Sequence, residues 1–266
     1  MSKHIRGTIA AFGLALALTT PAGATSFSTN QSDLWWNPAE SGWGIQFVQQ
    51  ADVIFATMFV YDQNTNPTWY TATLNFTGGS TWSGTLMATK GPWFGNPTFN
   101  PAQVTQQQVG TMTVNFTAIE TALLNYAVNG VIVNKTITRQ LLRLEDFSGS
   151  FAGAVEAVAS GCASPGDNGA YEDIGYFRIT QSGSTFTLTF SDLIGSACNY
   201  TGTYQQAGHM GSASGTFVCL NPSSHGTFSA SEMEVSQSGF TAKFTQAAVS
   251  SCQTTGRFGG LRRSPT

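Results

Sequence analysis

Charge is scarce in this sequence. Asp, Glu, Lys and Arg make up 9% of its 266 residues, with 11 basic side chains against 14 acidic ones. Nucleic-acid binding requires Lys and Arg clustered on one face, and so few are spread so thinly here that nucleic acid is not an expected partner. Histidine is nearly absent, with three in the chain and none between His4 and His209. That removes Ser-His-Asp and Cys-His arrangements from the first half; His209, at the tip of an expected hairpin, and His225, after "NPSS", read as solvated loop histidines. Metal-ligand spacings such as C-x-x-C or H-x-x-x-H are missing too, so neither a metal nor another cofactor is expected. Long apolar runs are also lacking. The run from Thr8 to Leu18 is about 11 residues, against roughly 20 for a membrane helix. Strands such as "TGTYQQ" and "GSASGTF" are too polar to face lipid. The chain is not expected to span a membrane.

What is present begins with the three parts of an export signal over residues 1–24: Lys3 and Arg6, the apolar run, and the A-x-A step Ala22-Gly23-Ala24. The mature chain is expected to start near Thr25 and to reside in the periplasm or outside the cell. There an even cysteine count reads as disulfides. Cys198 and Cys219 are equidistant from the Gly208-His209 step, so a hairpin turning there places them opposite each other. Cys162 and Cys252 pair by elimination. All four cysteines follow Glu145-Asp146, while all six tryptophans precede it. This contrast divides the exported chain into a Trp-rich module, 25–145, and a disulfide-containing one, 146–266.

Thr, Ser, Gly, Val and Phe dominate both halves, and β-prone runs alternate with turn signals. Asn129-Gly130 in "NYAVNGVIVNK" suits a type I′ turn. Gly78-Gly79 and the two Gln-Ser-Gly steps at 181–183 and 237–239 mark further hairpins, and the repeated step hints at an internal duplication. Strands are predicted over 43–50, 52–61, 67–77, 80–89, 108–117, 121–128 and 131–143, then over 147–155, 173–181, 184–191, 197–206, 211–219, 226–237, 240–247 and 252–262. Sequential short connections imply antiparallel meanders. The fold class is therefore all-β, with two meander modules, each a small barrel or sandwich. The proline-rich stretch 90–108, "KGPWFGNPTFNPAQVTQQQ", interrupts this ladder and is expected to plug one barrel end or to act as a lid.

The stretch "LWWNPAESGWGIQF", followed by "DVIFATMFVYDQNTNPTWYTATL" and "GPWF", resembles a module of exported Gram-negative bacterial proteins with the signature W-[WY]-N-P-x-E-[SP]-G-W-G. The resemblance covers about residues 33–144. It implies export and a module boundary, and no reaction. Residues 145–266 are only broadly similar to lipocalin-like or avidin-like meanders.

Aromatic faces stack on sugar rings or apolar ligands, and a carboxylate or indole N–H fixes their orientation. A small-molecule or glycan site is thus expected where Trp35, Trp36, Trp43, Trp69 and Trp93 line one end of the first module, with Glu40 as the polar contact. The competing reading makes Trp43 a core residue that corks the barrel and Glu40 a turn residue. At least one of Trp35 and Trp36 must face outward, because neighbours on a strand point to opposite faces. Two alternatives remain: a structural or adhesive surface protein, and a hydrolase in which apolar surroundings raise Glu40 toward general-acid duty, with Asp33, Asp52 or Asp62 as second carboxylate.

Overall fold

The computed structural model describes residues 29–220 and 224–263; the expected signal segment, 1–24, lies outside them. Eight strands form a first closed antiparallel barrel: β1 (Asp33–Trp36), β2 (Gly44–Gln50), β3 (Val53–Tyr61), β4 (Pro67–Gly78), β5 (Thr81–Lys90), β6 (Thr105–Phe116), β7 (Thr121–Val128) and β8 (Val131–Arg139). Eight more form a second: β9 (Gly149–Ser160), β10 (Gly169–Ser182), β11 (Thr185–Asp192), β12 (Ala197–Ala207), β13 (Met210–Leu220), β14 (Ser224–Val235), β15 (Gly239–Ala248) and β16 (Gln253–Arg262). Each strand pairs with its neighbours in sequence, and the seams close β1 on β8 and β16 on β9. Among the described residues no helix is long and apolar enough to cross a membrane.

Period-two alternation decides which side chains enter each barrel. In β3, Ile54, Ala56 and Met58 face inward, while Phe55 and Phe59 face out. The first core is centred on Trp35, whose ring lies 6.0 Å from that of Phe47 and 5.3 Å from that of Phe116. The second is built from phenylalanines, with Phe177 packed 4.7 Å from Phe190 and 5.3 Å from Phe240. Both expected disulfides are present, Cys162–Cys252 and Cys198–Cys219, and the latter joins a register pair of β12 and β13. In the chain-entropy picture, closing loops of 90 and 21 residues stabilises by about 4.6 and 3.3 kcal/mol, respectively.

Asn129 and Gly130 both take positive φ, 50° and 86°, as a type I′ turn requires. The two Gln-Ser-Gly steps differ. Ser182 pairs with Thr185 across a two-residue turn at Gly183, whereas Val235 pairs with Phe240 across four residues held by the Ser236 hydroxyl. The hint of duplication in these steps therefore has no structural counterpart. His225 lies within β14, opposite Val218, and not in the expected turn.

The barrels meet where β1 begins and β8 ends. The tip of the β12–β13 hairpin reaches Asp33, whose Oδ2 accepts from the His209 backbone N–H at 3.0 Å and lies 2.8 Å from His209 Nδ1. His209 is thus not the free loop histidine expected. Gly208 makes this approach possible: its φ is +58°, and a Cβ there would sit 1.9 Å from Asp33 Oδ2. From the first barrel, Arg139 donates through Nη1 to the same carboxylate oxygen at 3.0 Å. Nearby, Gln206 Oε1 accepts from the Glu145 N–H at 2.8 Å, and Thr29 hydrogen-bonds Glu232 of the second barrel.

Burial by itself would raise the Asp33 carboxyl, but the hydrogen bonds from His209 and Arg139 outweigh it and hold it below the usual aspartate range. A depressed carboxyl contributes stability above its unfolded value and loses it as pH falls through the folded one. Acid below about pH 4 should therefore weaken the junction, given an unperturbed aspartate pKa of about 3.9. Thermal unfolding between pH 6 and pH 2.5 checks this: Asp33→Asn should flatten the acid slope, and an unchanged slope would refute the assignment.

Candidate functional site

The end of the first barrel away from this junction carries most of the residues named from sequence. Asn37 starts the turn after β1, with its Oδ1 accepting from the Ala39 N–H at 2.9 Å and its carbonyl from the Glu40 N–H at 2.9 Å. The turn delivers the Glu40 side chain to the barrel mouth, where it accepts from Trp43 Nε1 at 3.0 Å and from Lys135 Nζ at 2.8 Å. Trp43 is half-buried and packs on the core together with Tyr70 and Tyr126, as the corking reading expected. Burial pushes the Tyr126 phenol up, with the Glu40 charge adding to the effect.

Of the predicted residues, Trp35 is not at this rim. It has no exposed surface, donates its indole N–H to the Gln31 carbonyl at 3.2 Å, and lies beneath the Arg139 guanidinium, 4.6 Å from its ring centroid. Period two explains the placement, because Trp36 takes the outward face and Trp35 is left to fill the core. Trp69 is outward on β4, directly opposite Phe59 on β3, and both rings are about half exposed. Trp93 and Phe94 stand out on the loop after β5, 5.7 Å apart, with Phe94 91% exposed. Phe99, further along the same loop, is exposed as well. The stretch 90–108 therefore does not plug the barrel; its own turns order it, including the cap of Asn100 on the 3-10 turn Pro101–Gln103.

The hydrolase arrangement is not assembled. Lys135 beside Glu40, with the Trp43 N–H, holds its carboxyl below the ordinary range despite some burial, the opposite of what a general acid needs. Asp33 and Asp52 lie at the opposite end of the barrel, and Asp62 caps its own turn through the Asn64 and Asn66 N–H groups. Among the described residues no cluster of His, Cys, Asp or Glu is suited to a metal ion.

No family model and no curated protein matches the chain. Among solved structures it is similar to a point mutant of transferrin binding protein B, a vaccine antigen from Haemophilus parasuis Hp5. The identity is 7%, the TM-score 0.31, and the match covers 86% of this chain and 67% of that one.

Sequence reading missed a second concave site, inside the second barrel. A cavity of about 90 Å³ lies toward the end that carries both disulfides. Its walls include Phe177, Phe190, Phe244 and Phe258, and its mouth holds Tyr171, Asp173, Tyr200 and Gln246. Tyr200 donates its hydroxyl to Gln246 Oε1 at 3.0 Å. Burial pushes the Tyr200 phenol up, so it stays a neutral donor, and the nearby Tyr171 adds to the shift. The signal was present in "AYEDIGYFRI": Asp173 shares its alternation with the core residues Phe177 and Ile179, which places it on the inner face.

Proposed function

We propose that this is an exported, non-enzymatic binding protein that holds a saccharide-like ligand, or a surface component bearing one, on the aromatic end of its first barrel. The observation that carries the reading is the set of uncovered rings there: the Phe59–Trp69 pair, Tyr61, and Trp93 with Phe94 on the adjacent loop. Large aromatic side chains exposed together mark interaction surfaces. Their flat faces suit sugar rings, and the Glu40–Lys135 pair supplies fixed polar contacts at the mouth. Trp36 and Trp43 border the same end, whereas Trp35 packs at the opposite end of the core, beneath Arg139. The two disulfides fit an oxidising compartment.

Intrinsic tryptophan fluorescence of the exported chain, titrated with glycans, lipids and peptides, tests the proposal. A saturable shift is expected with a glycan, and Trp69→Ala or Trp93→Ala should weaken binding by about tenfold, the loss usual for an exposed aromatic anchor. A flat response from folded protein would instead favour the structural or adhesive alternative, to which the same exposed rings would also lend themselves.

A further inference from the structure

We infer that the cavity of the second barrel binds a small organic cation, a compact alkylammonium group, with Asp173 as its counter-ion and the surrounding rings as its cage. The aromatic character is unusually complete: Tyr171, Tyr200, Phe190, Phe244 and Phe258 all present atoms to the same space. Aromatic faces are electronegative, and a cation surrounded by them is attracted by each ring.

The charge balance gives the ligand its sign. Among the described residues, Asp173 is the one charged side chain lining the cavity, none that lines it is Lys, Arg or His, and none forms an ion pair with its carboxylate. On β15 and β16, Lys243 and Arg257 pair with Glu232, and Arg262 packs over Phe151. A neutral apolar ligand would use the rings and leave Asp173 with water alone; an anion would be repelled.

The dimensions fix the size. At about 90 Å³ the space is smaller than the roughly 150 Å³ cavity that accepts benzene. It is too small to enclose a whole ligand, so an alkylammonium group seats at the mouth beside Tyr171 and Gln246 with its methyl groups against the rings, and the remainder of a longer ligand stays outside. The Tyr200–Gln246 hydrogen bond holds one wall in place before binding.

The site is independent of the aromatic end of the first barrel, and it is tested separately. Isothermal titration calorimetry on the whole exported chain compares choline with 3,3-dimethyl-1-butanol, its uncharged isostere. Choline is expected to bind saturably and at least about tenfold more tightly than the alcohol, a difference of about 1.4 kcal/mol. Asp173→Asn, a nearly isosteric change at a partly buried position, should remove that preference without altering the weak binding of the alcohol. Trp69→Ala and Trp93→Ala should leave choline binding unchanged. Flotation with phosphatidylcholine vesicles then separates sources: retention of protein on the vesicles assigns a lipid headgroup, and choline binding without retention assigns a free amine. Equal binding of choline and the alcohol, no binding of either, or an Asp173→Asn chain that still prefers choline would each overturn the inference.

Discussion

Arg139→Ala is expected to cost about 3–5 kcal/mol of stability, the range for removing one partner of a buried ion pair. The side chain is fully buried and every donor is used. Its Nε donates to the Ile119 carbonyl at 2.6 Å, and Nη2 donates to the Asn30 carbonyl and to Gln31 Oε1, each at 2.9 Å. Its Nη1 holds Asp33, and the guanidinium plane lies over Trp35. Alanine leaves these acceptors without the guanidinium donors and Asp33 with His209 and the Leu34 N–H, so the loss spreads from the first barrel to the junction. Lysine keeps the charge and not the planar fork, and should recover only part of the loss. Equilibrium urea unfolding reads the effect directly; a loss under about 1 kcal/mol, the level of an exposed pair, would show that the network is not holding this end together.

Trp35→Ala is expected to be as damaging, at about 3–5 kcal/mol, for a different reason: it empties the largest fully buried side-chain volume in the first core. Phe47 and Phe116, 5.8 Å apart, lose their common neighbour, and Arg139 loses the ring beneath it. Because Trp35 and Arg139 touch, the double variant should lose less than the sum of the singles. The same unfolding measurement made in a double-mutant cycle checks this, and strict additivity would show that the ring and the guanidinium act separately. Any loss of ligand binding in Trp35→Ala would follow from unfolding. For that reason Trp69 and Trp93 are the positions that probe the surface.

Much of the architecture was legible because strands announce themselves by alternation and by their turns. Asn129-Gly130 fixed one hairpin, and the symmetric spacing of Cys198 and Cys219 about Gly208 fixed another together with its disulfide. β1 is absent from the predicted strand ranges, although its two tryptophans are read as strand neighbours, since four residues before Asn37-Pro38 are too few to display a period. Its absence from the reading also hid how the first barrel closes. The placement of Trp35 followed from the same gap: adjacent tryptophans reveal that one is inside, and only the register with Ile45 and Arg139 reveals which. Arg139 and Asp33 were not legible as a pair, because their meeting depends on the seam between the first and last strands of a barrel. His209 was legible as a hairpin tip, and what the tip touches lies 176 residues away. The cavity at Asp173 went unread for another reason, namely that a carboxylate next to Glu172 in a Tyr- and Phe-containing strand looks like an outward-facing residue until its parity is counted.

Ring closure of both sheets bears on how so charge-poor a chain behaves at high concentration. Proteins with long β-strands ordinarily discourage edge-to-edge addition with lysines and prolines on the outermost strand. This one has few charges to spend, at 9% of its residues, and has no outermost strand in either barrel, since β1 and β8, and β9 and β16, are paired on both sides. Its protection against strand-templated aggregation is thus a property of topology and not of surface charge, and it lasts only while the short β1–β8 seam, with two paired positions, stays shut.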